Sequence, residues 1–199
     1  MFNRLEISPS CLLRRILMNF LDLVKTRQSV RNYLSRPVEK EKIDRCLEAA
    51  RFAPSANNAQ AWKFIVIDEP ELKEKLAHKT FSRLISFNRF SLQAPILVLL
   101  ISQRAGIAAK IGGMIKNKSF ELIDVGIAAE HFCLQATEEG LGTCMLGWFD
   151  ETGVKKILHL PKQIRVELII TMGYPESGKI RPKKRKTMDQ IASYNQKDH

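Results

Sequence analysis

Arg27, Ser29 and Arg31 alternate along the stretch RQSVR, and side chains two apart share a face only where the backbone is extended. Two guanidinium forks with a hydroxyl between them suit a phosphate dianion, for which arginine offers paired donors. The same residues also make a solvated basic turn, and alone that is the plainer reading. A second cluster lies in RFAPSANNAQAWKF, residues 51–64. Pro54 biases Ala53 away from helix, and Ser55, Asn58 and Gln60 then follow as groups that both donate and accept hydrogen bonds. Such groups match a heterocycle that alternates acceptors with N–H. Turn capping accounts for Ser55 and one asparagine; it does less for Gln60, two residues before Trp62. A third cluster, KKRK at residues 183–186, is short for a nuclear-localisation or nucleic-acid signal, and a fold-back of Lys183 or Arg185 onto an anionic group is the alternative.

The familiar catalytic signatures are absent from the sequence. It has no GxSxG, HExxH or GxxxxGK[ST], and its glycine-rich GLGTCMLG follows a helical pattern and leads into a strand, the reverse of a dinucleotide fingerprint. Cys11, Cys46, Cys133 and Cys144 form no CxxC pair and no zinc-ligand spacing with the four histidines, so a reduced, cytoplasmic protein without a structural metal is expected. The net charge of +11 is concentrated: Lys179–Lys186, KIRPKKRK, holds six basic residues and no acid, which leaves 11 − 6 = +5 elsewhere. That run is either a solvated tail or a local anion site. No apolar stretch approaches the roughly 20 residues of a membrane span.

These clusters need elements to place them. At 199 residues with 45% hydrophobic content the chain suits one well-buried domain, expected over residues 18–199. Residues 1–17, whose leucines are broken by Arg14 and Arg15, are expected to be a loosely structured extension rather than a secretory signal. A helix over LDLVKT precedes the first cluster. EKEKIDRCLEAARF repeats apolar residues at helical spacing (Ile43, Cys46, Leu47, Ala50), WKFIVID reads as a strand, and EPELKEKLA as a helix with a favourable charge order. PILVLLIS, apolar on both faces, predicts a central strand. A long helix over 120–139, small or apolar around most of its circumference, fits a core or a subunit interface and is expected to end at Gly140 and Gly142. A strand over 143–146, a helix over DETGVKKILHL, a strand over RVELIITMGY and a short closing helix in TMDQIAS complete the pattern. The class is mixed α and β, a layered sheet flanked by helices.

RQSVR near the start, APSANNAQAWKF, GLGTCMLGWFD, and GYPESGK leading into RPKKRKTMDQI occur in that order, and together they resemble the FMN-dependent nitroreductase family from about Phe20 to about Ser193. The resemblance implies an α+β fold with a central mixed, mainly antiparallel sheet flanked by helices, assembled as a homodimer with two FMN sites at the interface. It implies that Arg27, Gln28, Ser29 and Arg31, joined by Lys183 and Arg185, hold the phosphate and ribityl end. Pro54, Ser55 and Ala56 would line the flavin, and Asn58 and Gln60 would address its polar edge. Leu146, Gly147 and Trp148 would pass near its reactive N5. Ala61 replaces the proline usual in the family, and Trp148 stands where a small residue is common, which bears on acceptor size.

The implied activity is hydride transfer from NADH or NADPH through FMN to a nitroaromatic, quinone or similar small acceptor. The alternatives are a flavin-binding regulator without turnover and a basic nucleic-acid binder, the latter without the recognition helix or interleaved aromatics of one. No catalytic side chain is required, and His131 is expected to be structural. No nucleic acid or membrane partner is expected. Residues 102–118 are the candidate for a substrate lid.

Overall fold

The computed structural model describes residues 19–102 and 119–195. The extension expected over residues 1–17 lies outside them, as does the expected lid apart from Ser102, which closes a strand. Five helices are described: α1 (Phe20–Thr26), α2 (Lys40–Arg51), α3 (Pro70–Ala77), α4 (Phe120–Glu138) and α5 (Glu151–Ile157). The strands are β1 (Trp62–Ile67), β2 (Ile96–Ser102), β3 (Gly142–Leu146) and β4 (Arg165–Gly173), in the sheet order β1-β2-β4-β3 with all three pairings antiparallel. An isolated parallel bridge, Ser29 with Thr143, lies outside these strands at the β3 edge, and the four-stranded sheet itself is antiparallel.

The strand alternation splits the core into two layers. Ile96, Val98 and Leu100 of β2 face Ile43, Cys46 and Ala50 of α2 and Val125, Ala129, Phe132 and Cys133 of α4. Leu97, Leu99 and Ile101 face Leu76 and Ala77 of α3 and Val154 of α5. Each aliphatic side chain buried in this way contributes about 1.5–3 kcal/mol, so β2, buried from Ile96 to Ile101, is the spine of the sheet. Helix starts follow local chemistry. Asn19 accepts the Asp22 N–H, Glu69 accepts those of Glu71 and Leu72 ahead of Pro70, and Asp150 accepts that of Gly153.

Three elements differ from expectation. Gly140, at φ 76°, ends α4 in the left-handed conformation, but Gly142 belongs to β3, one residue before the strand's expected start. It is glycine because a Cβ there would stand 2.6 Å from Val30 Cγ2. The expected helix over residues 150–160 is shorter, Glu151–Ile157. TMDQIAS makes only a 3₁₀ turn at Met188–Gln190 with a capping box between Thr187 and Gln190.

Candidate functional site

Residues 27–34 form a strap along the β3 edge. α1 ends at Arg27, the Val30 N–H donates to Thr143 O at 2.9 Å, the Leu34 N–H to Tyr174 O at 2.9 Å, and the Glu176 N–H to Asn32 O at 3.1 Å. Buried Tyr33 fastens its middle, donating to Val30 O at 2.8 Å and meeting Thr171 Oγ1 at 2.6 Å; burial pushes its phenol well above the ordinary value. The strap passes so close to β3 that only glycine fits at 142.

The basic C-terminal run folds back onto this strap. Gln28 is the latch: its Nε2 donates to Lys179 O at 2.9 Å, and its Oε1 accepts from the Arg181 N–H at 3.1 Å and Nε at 3.2 Å. Arg181 also donates to Ser29 O. The Lys183 ammonium donates to Val24 O at 3.0 Å, Arg27 O at 2.6 Å and Lys25 O, satisfying carbonyls that the end of α1 leaves unpaired. The run is therefore anchored to the strap while most of its residues stay exposed.

Between strap and run lies an open cavity of about 320 Å³ lined by Arg27, Gln28, Ser29 and Arg31 from the strap and by Arg181, Pro182, Lys183, Lys184 and Arg185 from the run. Arg27 pairs with Glu130 of α4 at 3.2 Å, and the Arg31 guanidinium lies 5.8 Å from the centre of the Phe90 ring. Burial lowers the Lys183 pKa, and the neighbouring Arg27 and Arg185 lower it further. A dianion in this cavity would relieve that repulsion. The six cations and the Ser29 hydroxyl fit the phosphate of a nucleotide.

Trp148 reaches the same side of the chain through one segment. Its ring meets Phe87 edge-on at 6.0 Å, its carbonyl accepts from Asn88 Nδ2 at 3.1 Å, and Phe90, two residues on, lies against Arg31. Leu146 is buried at the end of β3, while Gly147 and Trp148 emerge from it.

The amide loop stands apart. Asn57, Asn58 and Gln60 all adopt left-handed backbone, at φ 52°, 53° and 45°, which costs roughly 1–2 kcal/mol per residue for ordinary L-residues and less for asparagine. Ser55 Oγ accepts the Gln60 N–H at 3.0 Å, and Gln60 Nε2 donates to Asn58 Oδ1 at 2.9 Å. That pairing leaves Asn58 Nδ2 to donate and Gln60 Oε1 to accept. Pro54 is exposed, Ala61 is buried ahead of β1, and Asp124 of α4 accepts the Ala56 N–H. Neither residues 54–60 nor residues 146–148 line the cavity at Arg27 and Arg31. His131 ties α4 to Ala49 O of α2 at 3.2 Å. Among the described residues no cluster of histidine, cysteine and carboxylate side chains could hold a metal, and no helix is long and apolar enough to cross a membrane.

Sequence reasoning missed Arg181, Asp124, Phe87 and Phe90. Arg181 stood in the charged run beside the chosen residues; Asp124, a lone acid inside an otherwise apolar helix face, was the signal for the second. The aromatic pair has no local signature.

The fold and the strap define an α/β/α sandwich of the nitroreductase kind, and comparison with known proteins agrees. Residues 24–174 match the profile of the Nitroreductase family, and the chain belongs to that family. It is similar to a protein named "Putative NAD(P)H nitroreductase MhqN" of Bacillus subtilis, 28% identical, with 88% of this chain and 98% of the relative covered. It is also similar to an iodotyrosine deiodinase of Thermotoga neapolitana, 27% identical over 79% of this chain and 89% of the relative. A solved FMN-dependent nitroreductase of Clostridium difficile R20291 superposes with a TM-score of 0.72 at 27% identity, covering 89% of this chain and 99% of that one.

Proposed function

We propose that the chain is an FMN-dependent oxidoreductase that uses NADH or NADPH to reduce a small aromatic acceptor such as a quinone or nitroaromatic. The observation that supports this best is the cavity where Arg27, Ser29 and Arg31 meet Arg181, Lys183 and Arg185, a set of donors matched to a phosphate dianion. FMN, when bound, supplies the redox chemistry, passing electrons from the nicotinamide to the acceptor in alternate half-reactions.

The chain's own residues do the placing. Arg27, Arg31 and Arg185 neutralise the phosphate; Gln28 and Lys183 hold the strap and the C-terminal run in register around it. Asn58 Nδ2 and Gln60 Oε1 present a donor beside an acceptor, complementary to a pyrimidine edge with N–H beside C=O. Pro54, Ser55 and Ala56 line the ring, and Leu146, Gly147 and Trp148 border its reactive face. Since the amide loop and the phosphate cavity do not share a lining within one chain, a homodimer with FMN between protomers brings them together. The Phe87–Trp148 pair then forms an aromatic wall for the acceptor. Iodotyrosine deiodinases among the relatives add iodinated phenols to the acceptors worth trying. The protein is proposed to act in the cytoplasm.

The test is the absorbance spectrum of the purified protein, followed by anaerobic addition of NADH or NADPH. A yellow protein bleached by one of them and recoloured by a quinone supports the reading. A colourless protein that takes up no added FMN overturns it, and a yellow protein that neither nicotinamide bleaches identifies a flavin-binding regulator instead.

A further inference from the structure

Asp124 is 4% exposed on α4, and both of its carboxylate oxygens lie 3.2 Å from the Ala56 amide nitrogen. Buried Glu139, at the other end of the same helix, is met by the charged fork of Arg45 at 2.7 and 2.8 Å. Among the described residues, Asp124 is met by a neutral amide. Burying a carboxylate without a charged partner is costly, so a position that only filled the core would be better served by an apolar side chain.

The amide it accepts opens the loop that holds three left-handed residues. Backbone of that kind in residues other than glycine persists only where the surroundings over-determine it. Inside the loop, the Asn58 N–H donates to Ser55 O at 3.1 Å, the Ala59 N–H to Ala56 O at 3.0 Å, and the Gln60 N–H to Ser55 Oγ at 3.0 Å. These bonds give the loop its shape. They do not fix where that shape sits relative to the rest of the chain. The Ala56 N–H, donated to a carboxylate on the long core helix, does.

We propose that Asp124 is the positioning residue of the flavin-facing loop: by accepting the Ala56 N–H it docks the strained 55–60 turn on α4 and sets where Asn58 and Gln60 present their amides. The inference rests on the reading of that loop as a flavin contact, and it adds a residue that touches neither FMN nor acceptor.

Two substitutions act on the same bond from opposite sides, one weakening it and one removing it. Asp124→Asn keeps the size and one oxygen and removes the charge. Ala56→Pro removes the N–H, and extended Ser55, at φ −143° and ψ 153°, accepts a following proline. In full-length protein, the Ala56 amide hydrogen should exchange about tenfold faster in Asp124→Asn than in the wild type, the size expected for exchanging a charged acceptor for a neutral one. Each single variant should bind FMN about tenfold more weakly or worse, and the double variant should be no weaker than Ala56→Pro alone, because both act on one interaction. Far-UV circular dichroism of the apoproteins should be unchanged. A simple packing role for Asp124 would not make its effect disappear in the Ala56→Pro background. Effects that multiply, or a wild-type Ala56 amide that exchanges as in an unstructured peptide, overturn the proposal. If Asp124→Asn fails to fold, Ala56→Pro alone decides it, since unchanged FMN affinity there overturns the positioning role. If wild-type apoprotein binds no FMN, the proposed function fails first; an Ala56 amide released by Asp124→Asn then marks a structural anchor, and the flavin-positioning role is overturned.

Discussion

The Arg27 guanidinium lies 3.2 Å from the Glu130 carboxylate, so the first cation of the phosphate cavity is already shared with an acid on α4. An incoming phosphate competes with Glu130 for that fork. Glu130→Gln removes the competitor and should tighten FMN binding by about two- to fivefold, the range for a partly exposed ion pair. The gain should shrink at high salt. Titration of apoprotein at low and high ionic strength checks this, and an unchanged or weakened affinity at low salt contradicts it.

Gly142 and Val30 press the strap onto β3, with the place of a Cβ at 142 only 2.6 Å from Val30 Cγ2. Gly142→Ala should destabilise the fold by about 1–3 kcal/mol through overpacking. Adding Val30→Ala should recover much of that loss. Denaturant midpoints of the single and double variants measure it; additive losses would mean the contact is not the cause.

Glu39 is held below its ordinary value of 4.5 chiefly by the Tyr174 hydroxyl, with burial opposing and Arg36 assisting; Tyr174 Oη lies 2.5 Å from Glu39 Oε2. A carboxyl with a lowered folded pKa contributes stability above its unfolded pKa and loses it as pH falls through the folded value. Tyr174→Phe should therefore cost stability at neutral pH and cost less as pH drops below 4.5. Melting temperatures of the two proteins from neutral to acid pH should converge; a constant gap contradicts the assignment.

Trp148 sits against Phe87 at 6.0 Å with its carbonyl tied to Asn88. If this pair walls the acceptor space, Trp148→Gly should raise kcat/KM for a polycyclic nitroaromatic relative to a small quinone. Phe87→Ala should move the ratio the same way by less, since an aromatic pair is worth about 0.5–1.5 kcal/mol. Parallel changes for both acceptors would place the wall elsewhere.

Much of this architecture was legible in the chain. The two-sided apolar run of β2 and the helical spacing of Ile43, Cys46 and Ala50 announce central burial because strand and helix periods differ. The alternation of Arg27, Ser29 and Arg31 required extended backbone, and the strap supplies it. What stayed hidden depends on distance in sequence. Gly142 looked like a helix stop because nothing local shows that Val30, far upstream, occupies its Cβ space. The contacts of Lys183 with the carbonyls ending α1 have no local sign because those residues are more than 150 positions away, at a separation of 156 for Arg27.

The most direct test of the account compares FMN with riboflavin on apoprotein from the wild type and Arg31→Ala. The two ligands differ only by the phosphate that the cavity at Arg27, Ser29 and Arg31 is proposed to hold. Two or more charge-assisted hydrogen bonds, at about 1.5–3 kcal/mol each, predict at least about a hundredfold preference for FMN in the wild type. That preference should fall by about tenfold or more in Arg31→Ala while riboflavin affinity stays the same. Equal affinity for the two ligands in the wild type, or a preference that Arg31→Ala leaves intact, would contradict it.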